Sequence, residues 1–187
     1  MMLVMVLVLS ELLVSDVTAR VARNGTMENG EPETETDWDQ NLEKRDAFGR
    51  GTCSNGWFYL GYCYKFISME KIWIDAELYC QALAPGGHLA SIHSKVQNEF
   101  IGQVIHATDS SDPETWIGWN DIYTEWSFTW TDGTFVNFNQ WQTGQPDNGN
   151  GRNEDCIHVN YLFPLKWNDA NCLKKRPFIC SYKLHQS

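Results

Sequence analysis

Six cysteines constrain this chain more than any other feature. They stand at positions 53, 63, 80, 156, 172 and 180, an even number at wide, irregular intervals with no Cys-x-x-Cys pair. Zinc sites and dithiol redox centres draw on close-set cysteine pairs, so crosslinking is the expected use. Crosslinks of this kind form and persist in an oxidising compartment. The N-terminus fits that setting: Met1–Leu9 is continuously apolar, Leu12–Val14 extends the run past Ser10-Glu11, and Val17-Thr18-Ala19 offers small residues for cleavage. No Lys or Arg precedes the run, and Glu11 interrupts it. It also falls short of the roughly 18 uninterrupted apolar residues of a membrane span. Residues 1–19 are therefore expected to be a signal peptide, and the product secreted, extracellular and not membrane-embedded.

The formal charge of −10 argues against a nucleic-acid partner, because no basic stripe is present to neutralise phosphates. Much of the acidity lies between residues 20 and 52, where Glu28, Glu31, Glu33, Glu35, Asp37, Asp39, Glu43 and Asp46 stand among few apolar residues. Such a segment cannot bury enough surface to offset its chain entropy and is expected to be disordered. Lys44-Arg45 is a dibasic pair. If it is processed, residues 20–45 are a propeptide; if not, the segment is an exposed linker. Asn24-Gly25-Thr26 is an acceptor sequence for N-glycosylation.

Folded sequence is expected from Cys53 to about residue 183, with 184–187 as a tail. Gly56–Phe66 is dense in aromatic strand formers, and its Gly61-Tyr62 break suggests a hairpin that Cys53 and Cys63 could close. Trp73, Ala76, Cys80 and Leu83 recur at helical spacing before Pro85-Gly86-Gly87. After a strand-like His88-Leu89-Ala90-Ser91-Ile92, Ser94 with Gln97 forms a capping-box pattern for a second helix, whose apolar stripe reads Val96, Phe100, Val104 and Ile105. Trp116-Ile117-Gly118-Trp119 reads as a buried strand, Ile157-His158-Val159 as an alternating strand, and Pro177–Tyr182 as a closing strand. The whole is α+β.

Between Trp119 and Cys156 the periodicity fades, and so long an irregular stretch in a small domain is usually functional. From Trp141 to Asp169 the oxygens of Gln145, Asp147, Glu154, Asn168 and Asp169 gather with few basic groups nearby, Arg152 and Lys166 being the exceptions. Hard oxygen donors of this kind suit calcium, which takes six to eight of them in loose geometry. No catalytic constellation accompanies them. Ser91-Ile92-His93 reads as structural, and His88, His93, His106, His158 and His185 lack metal-ligand spacing. The chain is not expected to be an enzyme.

Taken in order, the Cys80 helix, His88-Leu89-Ala90-Ser91-Ile92, Trp116-Ile117-Gly118, Gln145-Pro146-Asp147, Trp167-Asn168-Asp169 and Cys180 resemble the C-type lectin domain family over residues 53–183. The resemblance implies two helices, two small antiparallel sheets and a long double loop. It also implies three disulfides, Cys53–Cys63, Cys80–Cys180 and Cys156–Cys172, which leave no cysteine for a covalent dimer; an oligomer would have to be non-covalent. It implies a calcium ion held by Gln145, Asp147, Glu154, Asn168 and Asp169, with Asp169 adding its backbone carbonyl, and a cis peptide at Gln145-Pro146.

In the family, Gln-Pro-Asp goes with galactose-like sugars, so galactose or N-acetylgalactosamine is the implied ligand. Gln145, Asp147, Glu154 and Asn168 would bind the sugar. Asn148-Gly149-Asn150-Gly151-Arg152 departs from many galactose-selective members, which carry an aromatic ring just after the triplet; Trp141, before it, reads as a loop anchor. Asp121 and Glu125, with Asn148, Asp155 and Glu154, mark an auxiliary calcium site, although Asn148 stands where the family usually has an acid. The implied role is innate-immune recognition of cell-surface or microbial glycans. Ice binding, as in some fish antifreeze proteins, and toxin-like protein binding are the alternatives on the same scaffold, which also occurs in short secreted lectins of fish and venoms.

Overall fold

The computed structural model describes residues 53–151 and 153–184. The expected signal peptide, the acidic segment with Asn24 and Lys44-Arg45, and the end of the tail lie outside the described residues. Among the described residues, eight strands and two α-helices follow in the order β1 (Trp57–Tyr59), β2 (Tyr62–Lys71), α1 (Trp73–Leu83), β3 (His88–Leu89), α2 (Lys95–Thr108), β4 (Thr115–Asn120), β5 (Thr129–Trp130), β6 (Cys156–Val159), β7 (Asn168–Ala170) and β8 (Arg176–Lys183). A short 3-10 turn, Asn148–Asn150, interrupts the long loop.

The first hairpin turns on Leu60 and Gly61, both at positive φ (46° and 87°), the conformation that lets a two-residue turn follow the twist of its strands. Helix α1 buries Trp73, Ala76, Glu77 and Cys80. Glu77 was not in the expected stripe. Its carboxylate is satisfied inside by Gln81 Nε2 at 2.8 Å, His88 Nδ1 at 2.6 Å and the Leu89 backbone N–H at 2.8 Å. Gly87 closes the helix where no side chain fits, since a Cβ there would lie 2.3 Å from the Cys80 carbonyl oxygen.

Helix α2 is capped as expected, with the Gln97 N–H donating to Ser94 Oγ at 3.1 Å. The return bond differs: Gln97 Oε1 accepts from the His93 N–H rather than from Ser94. Its buried face also differs. Val96 is 61 % exposed, and Ile101 is buried in its place, beside Gln97, Asn98, Phe100, Val104 and Ile105. The helix is rotated because two amides point inward: Gln97 Nε2 donates to Tyr64 OH and Ser91 O, and Asn98 Nδ2 to Leu165 O.

The two small sheets expected are joined into one of eight strands. The order is β1-β2-β8-β4-β6-β7, with β3 on β8 and β5 on β4. All pairings are antiparallel except β4 with β8, which run parallel where Trp116 faces Phe178. Both residues are fully buried, so the ladders meet inside the core rather than at an edge. Strand β6 does not alternate: all four of its residues are buried, because both faces are covered. One apolar cluster gathers Ile92, Ile101, Ile117, Trp119, Ile157 and Trp167; a second gathers Trp73, Leu89, Trp116 and Phe178. The disulfides are Cys53–Cys63, Cys80–Cys180 and Cys156–Cys172, and they use all six cysteines. Among the described residues no helix is long and apolar enough to cross a membrane.

Candidate functional site

The long loop is moored by tryptophan. Trp167 is fully buried, with Trp119, Trp130, Phe138 and Trp141 around it, and its Nε1–H donates to Asn98 Oδ1 at 2.9 Å. Trp141 stacks on Trp119 with ring centroids 4.9 Å apart, and Gln142 N–H donates to Trp167 O at 2.9 Å. Trp141 is therefore an anchor, as its position before the triplet suggests.

From that mooring the chain turns through Gln145-Pro146, which is cis. The Asp147 and Asn148 N–H groups then donate to the Asp169 carboxylate at 3.1 and 2.7 Å. Asp147 Oδ1 accepts the Gly149 N–H at 3.0 Å, and Asn148 Oδ1 accepts the Glu154 N–H at 2.6 Å. Gly149 has φ 52°, and a Cβ on it would lie 2.7 Å from the Glu154 carboxyl carbon, so both backbone and space call for glycine. Asn168 and Asp169 come in from β7, opposite His158 and Ile157 of β6, and Cys156–Cys172 ties the two strands.

Three separate segments thus bring Gln145, Asp147, Glu154 and Asn168 to line one cleft of about 450 Å³, and the buried Asp169 adjoins them. Carboxylate oxygens of Asp147, Glu154 and Asp169 lie within 4.8 Å of one another. Gln145 Oε1 and Asn168 Oδ1 are buried without a hydrogen-bond partner. Buried acceptors are normally paired, so two orphaned oxygens beside three carboxylates are what a cation site requires. Burial, with Asp147 adding to it, raises the Asp169 carboxyl above the usual range against the pull of its two N–H donors. Lys174 Nζ lies 3.8 Å from Glu154 Oε1 at the rim.

The cleft wall is made by residues that the sequence reading missed. Glu114, Tyr161 and Arg176 line it. Arg176 donates to Glu114 Oε2 from Nε at 3.1 Å and Nη2 at 2.5 Å, and its guanidinium sits 4.6 Å from the Trp116 ring. Burial, helped by that guanidinium, pulls His158 down to about 3, so its ring is neutral. The Lys174-Lys175-Arg176 run was visible in sequence, but nothing local tied it to a loop some 30 residues earlier.

The auxiliary candidates lie beside the first group without forming an equally close cluster; among the described residues that closeness belongs to Asp147, Glu154 and Asp169. Asp121 is 4 % exposed. Its Oδ2 accepts the Trp126 N–H at 2.8 Å, while its Oδ1 is buried and unpartnered. Burial, with repulsion from Glu125 and Asp155, pushes Asp121 up to about 6. Asn148 joins the two regions, donating to Glu125 Oε1 at 2.9 Å. Asp155 accepts from Asn153 Nδ2 at 2.8 Å. Because Asp121 ionises less readily in the folded chain than in the unfolded one, its charge opposes folding as pH rises from about 4 to above 6. Asp121→Asn is therefore expected to raise the metal-free melting temperature at pH 7, and the gain should vanish below about pH 4, where both states of the wild-type carboxyl are protonated. Thermal melts in chelator across that range check it.

Ser91, His93 and Asp132 come together but not as a catalytic triad. Ser91 Oγ donates to Asp132 Oδ2 at 2.5 Å, while His93 Nδ1 faces Asn137 Oδ1, so the carboxylate holds the hydroxyl instead of the imidazole.

Comparison with known proteins bears on the family and the fold. The family described as Lectin C-type domain matches residues 69–182. A protein named simply lectin, from Pleurodeles waltl, is 44 % identical over 131 residues, covering 70 % of this chain and 76 % of its own length. Among solved structures, C-type lectin CEL-I from Cucumaria echinata is similar with a TM-score of 0.66 at 27 % identity, over 71 % of this chain and 97 % of that one. Herring type II antifreeze protein is similar with a TM-score of 0.64 at 29 % identity, over 71 % and 98 %.

Proposed function

The chain belongs to the C-type lectin domain family, and from that premise we propose that it is a secreted, calcium-dependent lectin for galactose or N-acetylgalactosamine on cell-surface or microbial glycans. Its relatives are lectins, non-enzymatic proteins that bind carbohydrate. The observation that carries the reading is the pair of orphaned amide oxygens, Gln145 Oε1 and Asn168 Oδ1, in residues that share a cleft with Asp147 and Glu154, whose carboxylates cluster with that of Asp169. All five side chains offer hard oxygen donors and fit calcium. Gln145, Asp147, Glu154, Asn168 and Asp169 would hold the ion. When bound, calcium would supply open coordination positions for two neighbouring sugar hydroxyls.

The residues themselves would do the selecting. Carboxylates of Asp147 and Glu154 accept from hydroxyls, the Gln145 amide can donate as well as accept, and Asn168 offers its oxygen, its two amide hydrogens being engaged by His158 and the Asp169 carbonyl. The order Gln145-Pro146-Asp147 supports a galactose-type arrangement. The stretch after the triplet brings no ring, but Tyr161, half-buried, lends the cleft wall an aromatic surface. Asp121, Glu125, Asn148 and Asp155 would form an auxiliary calcium site; the unpartnered, buried Asp121 Oδ1 supports it. Secretion accords with three disulfides, with residues 1–19 as the signal peptide, Asn24 glycosylated and residues 20–52 as propeptide or linker.

The test is an affinity column. The protein is expected to be retained on immobilised galactose in millimolar calcium and released by a chelator; passage straight through the column would refute the reading. Likeness to the herring antifreeze protein favours ice binding as the second reading, and thermal hysteresis without sugar retention would establish it instead.

A further inference from the structure

We propose that His158 is a positioning residue for this site: its imidazole holds the Asn168 amide so that the oxygen faces the carboxylates. This deepens the calcium reading above and rests on it. His158 is 0 % exposed. Its ring is fixed by edge-to-face packing against Trp116 and Tyr161, each with centroids 5.7 Å away. Its two nitrogens meet opposite surroundings. Nδ1 lies 3.3 Å from the Val159 carbonyl oxygen and 3.9 Å from Glu114 Oε2, both acceptors. Nε2 lies 3.2 Å from Asn168 Nδ2 and 3.5 Å from Arg176 Nη2, both donors. A neutral ring with its hydrogen on Nδ1 and a bare lone pair on Nε2 is the form that satisfies all four neighbours.

That lone pair decides which way Asn168 turns. One Asn168 Nδ2 hydrogen goes to His158 Nε2, and the other goes to the Asp169 backbone carbonyl. Turned over, the amide would set its oxygen against the Asp169 carbonyl oxygen and the imidazole lone pair, with no donor on either side. The held orientation leaves Oδ1 buried and unpartnered in a residue that lines the cleft. A side chain would not keep an acceptor unsatisfied on its own, since burying an unpaired acceptor is costly; His158 supplies the compensating bond. Arg176 closes the arrangement, clamped by Glu114 and lying over Trp116, so that a fixed donor also faces Nε2. Outer partners of this kind set the orientation of metal ligands in general.

Two measurements on the full chain test the role. Long-range ¹⁵N–¹H correlations on the calcium-free protein are expected to show a proton on His158 Nδ1 and none on Nε2; a protonated Nε2 overturns the proposal, because the acceptor for Asn168 is then absent. Calcium titration by calorimetry is the second. His158→Phe keeps a ring between Trp116 and Tyr161 but has no acceptor, and should weaken calcium binding by about 10–100-fold. His158→Gln, whose amide oxygen can reach toward Asn168, should recover most of that loss at a comparable melting temperature in chelator. Unchanged affinity in His158→Phe, or equal loss in both variants, overturns the positioning role while leaving the lectin reading intact. A wild-type chain that takes up no calcium overturns both. Should His158→Phe fail to fold, the tautomer measurement decides.

Discussion

Asp147→Ala is expected to abolish calcium-dependent retention on galactose and to leave the chelator melting temperature nearly unchanged. Asp147 is an exposed side chain that supplies one of three clustered carboxylates, and its hydrogen bond to Gly149 lies within the loop. The bonds that shape the triplet run from its backbone N–H and that of Asn148 to Asp169, and alanine keeps them. No core residue touches the change, so stability should stay within about 0.5 kcal/mol. Calcium loses a charged ligand outright, a larger change than the outer-partner losses that weaken binding about 10–100-fold. Calorimetry and the galactose column read the two effects separately. Retention that survives the substitution would mean that the five-oxygen cleft is not where sugar binds.

Trp167→Ala should instead strike the fold. Removing a fully buried tryptophan typically costs about 3–5 kcal/mol. Asn98 Oδ1, which now accepts the indole N–H, would be left unpaired inside for a further 1–3 kcal/mol or so. Against a typical total of about 5–15 kcal/mol this is a large fraction. Trp119, Trp130, Phe138 and Trp141 all lose a ring neighbour, and Trp141 starts the loop that carries Gln145 and Asp147, so on the proposed function ion uptake should fall together with stability. Denaturant unfolding in chelator measures the first loss and calcium titration the second. A stability loss below about 2 kcal/mol would show that Cys156–Cys172, rather than the tryptophan cluster, fastens this region.

What the sequence reveals and what it hides divides along chain distance. Ser94 was legible as a cap because its partner, the Gln97 N–H, is three residues away. The gathering of Asp147, Glu154 and Asp169 was legible because the three short segments that carry them are rich in oxygen donors of one kind. Glu77 was not, because His88 and the Leu89 N–H reach its carboxylate from beyond the end of its helix. Val96 and Ile101 exchanged places for a related reason: inward-pointing Gln97 and Asn98 bond to Ser91, Tyr64 and Leu165, and apolar periodicity carries no trace of such bonds. The cleft wall depends on Glu114 meeting Arg176 across 62 residues, and the joining of the sheets depends on a single pairing of Trp116 with Phe178. Local patterns do not encode either one.

The unpartnered oxygens of Gln145 and Asn168 also bear on how long the molecule lasts. An occupant that relieves them does so in the native chain alone, so loading the cleft and resisting unfolding become one linked equilibrium. At a hundredfold excess over its dissociation constant such an occupant adds about 2.7 kcal/mol. Survival against proteases would then follow the ionic make-up of the surrounding fluid, with the same polypeptide durable where divalent cations abound and short-lived where they are scarce.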